Sequence, residues 1–124
     1  MSRVIRVLLA GGGEVVREGL RQMLGGRGVV LVGEAPSGQE ALAKVETLFP
    51  DVVILVADDS LPVDGLVRRA RVIGGAILPA RVVILAEDPI RYLAPAVKAG
   101  AAAVLPTDIT PDDLLAAIRC TCLH

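Results

Sequence analysis

Residues 4–24 read VIRVLLAGGGEVVREGLRQML. An apolar run, 4–10, stops at three glycines, Gly11, Gly12 and Gly13, and a helical pattern follows at once. In that pattern, Glu14–Leu24, the spacing places Val16, Leu20, Met23 and Leu24 on one face. A run rich in Val, Ile and Leu with little polar alternation is how a strand covered on both faces reads. A strand, a tight glycine turn and an amphipathic helix make the opening of a βα unit.

The unit recurs along the chain. Further apolar runs occupy 29–32, 52–57, 82–86 and 101–105. Between them, Gly38–Leu48 aligns Ala41, Leu42, Val45 and Leu48, and a weaker pattern at 66–73 aligns Leu66, Ala70 and Ile73. The fourth helical segment, 90–99, contains Pro95, whose missing N–H should kink or shorten it. The last starts with Thr110 as N-cap, Pro111 in the first helical position and Asp112 and Asp113 in the first turn. Its buried stripe is Leu114, Leu115, Ile118 and Cys122. Gly25-Gly26, Gly74-Gly75 and Pro50-Asp51 supply the turns. Alternating strands and helices predict an α/β fold, a doubly wound five-stranded parallel sheet with helices on both faces. The length, 124 residues, suits one domain over 1–124.

Composition excludes several functions. With 53% hydrophobic residues the chain is not intrinsically disordered. Its 13 basic and 14 acidic residues leave no excess positive charge for a nucleic-acid surface. Phe49 and Tyr92 are the only aromatic residues, too few for a base-stacking platform. The apolar runs fall far short of the ~20 residues that span a bilayer. Arg6 interrupts the N-terminal one, which is too short for a signal peptide, so the chain reads as cytoplasmic, with no membrane partner. Cys120 and Cys122 read as reduced thiols at a helix end, and His124 alone cannot complete a zinc site with them.

In open parallel sheets, ligands bind beyond the carboxyl ends of the strands, where the strand order reverses. The residues there are Gly11, Gly12 and Gly13, Asp58, Asp59 and Ser60, Ala86, Glu87 and Asp88, and 105–108. The glycines read either as a flexible loop or as a cradle of N–H groups for a small anion or ligand. They fail the dinucleotide fingerprint, because Val16 stands where the third glycine belongs. Asp88-Pro89 reads as N-cap plus first-turn proline. No general base stands in these loops, and the one histidine is terminal, so the chain does not read as an enzyme.

Several stretches resemble the receiver domains of bacterial two-component response regulators. They are IRVLLA with EVVREGLRQML, VLVGEA at 30–35, SGQEALAKVETLFPDVVIL at 37–55, LPVDGL at 61–66, AVKAGAAAVL at 96–105 and DITPDDLLAAIR at 108–119. The resemblance covers essentially the whole chain and looks closest to the branch with a C-terminal LuxR-type helix-turn-helix. It implies a flavodoxin-like (βα)5 fold with strand order 2-1-3-4-5. It also implies a site in which two acids after the first strand and an Asp ending the third hold magnesium. That Asp accepts a phosphoryl group from a histidine kinase, with a Thr or Ser and a Lys ending the fourth and fifth strands.

The matching positions depart from that pattern. The acidic pair falls on Gly11 and Gly12, the hydroxyl on Ala86, the Lys on Thr107 and the aromatic switch residue on Val104. The acceptor position is Val56 counted from Asp51, Asp58 counted from Pro62, and Ala57 counted from Asp64-Gly65. Asp58 is therefore the phosphoacceptor candidate, with Asp59 and Glu87 as acidic neighbours. Asp58 and Asp59 read equally as two solvated loop acids; together they offer magnesium at most a weak site. In an extended strand Asp58 would lie about 6–7 Å beyond Val56 on the same face. The expectation is a pseudo-receiver without a required cofactor. As in the family, it would form a homodimer or hold a partner protein through the fourth helix, fifth strand and fifth helix. Ile90, Tyr92, Leu93 and Val97 are the expected contacts in its apolar fourth helical segment.

Overall fold

The structure is a computed structural model that describes residues 4–36, 38–57 and 81–122. The weak helical pattern at 66–73 and the acids Asp58 and Asp59 lie outside the described residues. The elements are β1 (Ile5–Gly11), α1 (Glu14–Leu24), β2 (Val29–Ala35), α2 (Gly38–Leu48) and β3 (Val52–Val56). They continue as β4 (Arg81–Ala86), α3 (Pro89–Ala99), β5 (Ala103–Pro106) and α4 (Pro111–Cys122). The fourth helical segment of the sequence is thus α3, and the last is α4.

The strands form one parallel sheet in the order β2-β1-β3-β4-β5, as expected. Side chains alternate across it and feed two cores. Val52, Ile54 and Val56 of β3 join Leu20 and Leu24 of α1 and Leu114, Leu115 and Ile118 of α4. Val53 and Leu55 join Ala41 and Val45 of α2 and Tyr92 and Ala96 of α3. The chain leaves β1 for β2 on one side and returns to β3 on the other. The crevice where the order reverses therefore lies between the carboxyl ends of β1 and β3. No helix among the described residues is long and apolar enough to cross a membrane.

Several local expectations change. β2 runs on through Gly33, Glu34 and Ala35 instead of stopping at Val32. The apolar pattern breaks there because β2 is an edge strand, so Glu34 can leave the core and pair with α1. The register slips where Val7 faces Leu31 and Leu8 faces Gly33, leaving Val32 as a bulge. Gly33 lets α2 approach: a Cβ there would stand 2.9 Å from Leu48 Cδ1. Pro95 does not shorten α3, which continues to Ala99. Burial of Tyr92 and Ala96 on one face holds the turns on either side of the proline together. Val16 leaves the core face of α1 and is 43% exposed; Leu20 and Leu24 bury that helix. Thr110 caps α4 as expected, its Oγ1 accepting from the Asp113 N–H at 3.2 Å.

Candidate functional site

The ladder fixes what meets at the carboxyl edge. Gly11 pairs with Val56, Val56 with Leu85, and Leu85 with Leu105. One step further, Ala86 pairs with Pro106, the Ala57 N–H donates to the Leu85 carbonyl at 2.7 Å, and the Thr107 N–H donates to the Ala86 carbonyl at 3.1 Å. Val56 thus stands beside Gly11 at the centre of the edge. Val56, Ala57 and Ala86 are all buried.

Both glycines after β1 are needed by the backbone. Gly11 and Gly12 have φ of 75° and 70°, a region L side chains rarely enter. A Cβ on Gly11 would lie 2.9 Å from the Val56 carbonyl oxygen, and one on Gly12 3.1 Å from Val56 Cγ1. The first contact is with backbone that cannot step aside; the second is with a side chain.

Arg17, one turn into α1, holds this loop. Its Nη1 donates to the Gly12 carbonyl at 2.9 Å and the Gly11 carbonyl at 3.3 Å. Its Nε meets Glu34 at 3.2 Å and its Nη2 meets Glu14 at 3.0 Å. Arg21 pairs with the same two carboxylates. Hydrogen bonds from Arg17 and then Arg21 hold the Glu14 carboxyl below its ordinary range, while the bond to Glu34 raises Arg21 further. Nothing in the residue pattern signals this network, because helical spacing assigns faces and not the carbonyls a long side chain reaches.

Four of the described positions at this edge offer no side-chain ligand to a magnesium ion. A hard cation takes oxygen ligands, and Gly11, Gly12, Val56 and Ala86 carry none on their side chains. Two of the backbone carbonyls are already engaged by Arg17. Among the described residues, no three His, Cys, Asp or Glu side chains gather as a metal site.

What the edge forms is a groove of about 440 Å³. Val56, Ala57 and Leu85 line its base, and Gly12, Gly13, Val15, Val16, Gly19, Leu20 and Met23 line one wall. Glu87, Asp88, Arg91, Tyr92 and Thr107 line the other. Glu87 and Thr107 are exposed. Asp88 occupies the N-cap position of α3 before Pro89, but its carboxylate makes no capping bond there. Val104 is half-buried on β5, paired with Ile84, and packs on the core.

The expected interface residues divide. Ile90, Leu93 and Val97 are 82%, 49% and 60% exposed. Tyr92 is not a surface contact: it is 6% exposed and packs with the α2–α3 core. At 3.6 residues per turn it falls on the stripe of Ala96, with Ile90 and Val97 on the other side of the helix and Leu93 between.

No protein-family model matches the chain. The transcriptional regulatory protein YxjL of Bacillus subtilis is 33% identical over 117 residues, 93% of this chain and 53% of YxjL. The response regulator UvrY of Escherichia coli is 33% identical over 120 residues, 94% of this chain and 53% of UvrY. The chain spans about half the length of these curated relatives. Among solved structures, the signal receiver domain of the response regulator NarL from Mycobacterium tuberculosis superposes with a TM-score of 0.82 at 27% identity, covering 96% of this chain and 97% of that one. A two-component response regulator of the LuxR family from Aurantimonas sp. gives a TM-score of 0.83 at 28% identity, over 95% and 84% of the two chains. In sheet order and fold the chain is flavodoxin-like and similar to the receiver domains of response regulators.

Proposed function

We propose that residues 1–124 form one receiver module of a two-component response regulator. It works without magnesium-dependent aspartyl phosphorylation and acts through protein association. The observation that carries this reading is Val56 at the centre of the edge, paired with Gly11 where the family pattern has an acceptor beside an acid. The supporting departures are Gly12, Ala86, Val104 and Thr107. A phosphoryl group arriving here would meet neither a metal nor a lysine to offset its charge. The guanidinium of Arg17 supplies a fixed charge at the β1–α1 loop, on carbonyls that face it rather than on a ligand.

In this reading the module is non-enzymatic and cytoplasmic, and forms a homodimer or holds a partner protein through α3, β5 and α4. A histidine kinase would be an association partner rather than a phosphoryl donor. The regulatory names of the relatives, and their greater length, support a role in transcription, with a LuxR-type helix-turn-helix as the output.

Calorimetric titration with magnesium tests the reading. It should show no saturable binding in the millimolar range. Saturable binding that disappears in Asp58→Asn would replace it with a conventional receiver using Asp58 in a rearranged site.

A further inference from the structure

The groove carries apolar surface that the fold does not use. Val15 and Val16 line it and are 84% and 43% exposed, although Val16 has the spacing of a core residue. Gly19 lines the same wall in the middle of α1, where glycine weakens a helix relative to alanine. A Cβ at Gly19 would meet no atom within 4 Å, so packing does not demand the glycine. Across the groove, Glu87 and Asp88 are exposed and make no ion pair among the described residues. The neighbouring cation, Arg91, lies over the Tyr92 ring, 5.8 Å from its centroid. The volume is within the range of small-molecule sites. An apolar wall facing two carboxylates without an ion pair among the described residues complements an apolar body that carries a positive charge.

We propose that this groove binds a small apolar amine in its ammonium form, the hydrocarbon against Val16, Leu20 and Val56 and the ammonium between Glu87 and Asp88. The site goes beyond the signalling role and does not depend on whether the chain accepts a phosphoryl group.

Butylamine, pentylamine and hexylamine, with hexanol and hexanoate as neutral and anionic counterparts, are the probes. They are titrated at neutral pH into the isotopically labelled chain while amide resonances are followed. The amines should shift Gly13, Gly19 and Leu85 saturably, tightening by up to roughly fourfold per methylene. Hexylamine should bind more tightly than hexanol, and hexanoate least. Gly19→Leu, which fills the open wall, should keep the native spectrum and lose the response. Glu87→Gln with Asp88→Asn, both at exposed positions, should bring hexylamine down to the level of hexanol. Absence of saturable shifts at these residues would overturn the proposal. So would unchanged binding in Gly19→Leu, or hexanoate bound as tightly as hexylamine.

Discussion

Gly11 and Gly12 show what a side chain in the turn after β1 would cost. Their backbones sit at positive φ, and Gly11 faces the Val56 carbonyl too closely for any side chain. Gly11→Asp should therefore destabilise by roughly 1–3 kcal/mol, the cost of a strained backbone position. Gly12→Asp should cost less, because its neighbour is the movable Val56 side chain. Denaturant unfolding reads both, and the double variant should gain no tight magnesium site by calorimetry. Arg17→Gln, which leaves the two glycine carbonyls without a charged donor and Glu34 with Arg21 alone, should cost about 1–3 kcal/mol in the same measurement. The Glu14 carboxyl is held below its ordinary value of 4.5 by Arg17 and Arg21. A lowered carboxyl contributes stability fully above its unfolded value and loses it as pH falls through the folded one. Glu14→Gln should therefore lower stability slightly at neutral pH, flatten the acid limb below about pH 4.5, and match the unsubstituted chain once pH falls below the folded value. The glycine positions were legible from the sequence, because a motif position with no oxygen is visible by residue type. Arg17 was not, since nothing in its spacing distinguishes it from a solvated helix residue.

Helix α3 has more apolar surface than one buried face can hold. Tyr92 and Ala96 turn inward, while Ile90, Leu93 and Val97 recur at helical spacing on the exposed side. That excess was legible in the sequence; which residues faced outward was not, because Tyr92 has the size and amphipathic character of an interface residue. Leu93→Asp with Val97→Asp should leave the fold intact. If the module self-associates through α3, the pair should shift it to monomer in sedimentation velocity at matched micromolar concentrations. A wild-type chain that is monomeric throughout that range would remove self-association and leave a heterologous partner. Tyr92→Asp, in contrast, places a charge in the core and should unfold much of the population by circular dichroism. Strand β2 marks a similar limit: an edge strand tolerates Gly33 and Glu34, so apolar continuity underestimates its length.

For the molecule as a whole, alternation implied the parallel sheet, because both-faced burial leaves strong marks on composition, and the order of strands followed from the resemblance alone. The acceptor loop was harder. Three sequence anchors gave three positions; the ladder pairs one of them, Val56, with Gly11, and Asp58 lies outside the described residues. Counting from Pro62 or from Asp64-Gly65 starts from residues outside the described ones. The groove was hidden for another reason: its walls come from segments far apart in sequence, α1, β3 and the start of α3. A receiver whose central position is a valine should not take up a phosphoryl group, whatever donor is supplied. Intact mass spectrometry after incubation with magnesium and acetyl phosphate should return the unmodified chain. A stoichiometric phosphoryl adduct that is lost in Asp58→Asn would contradict the account.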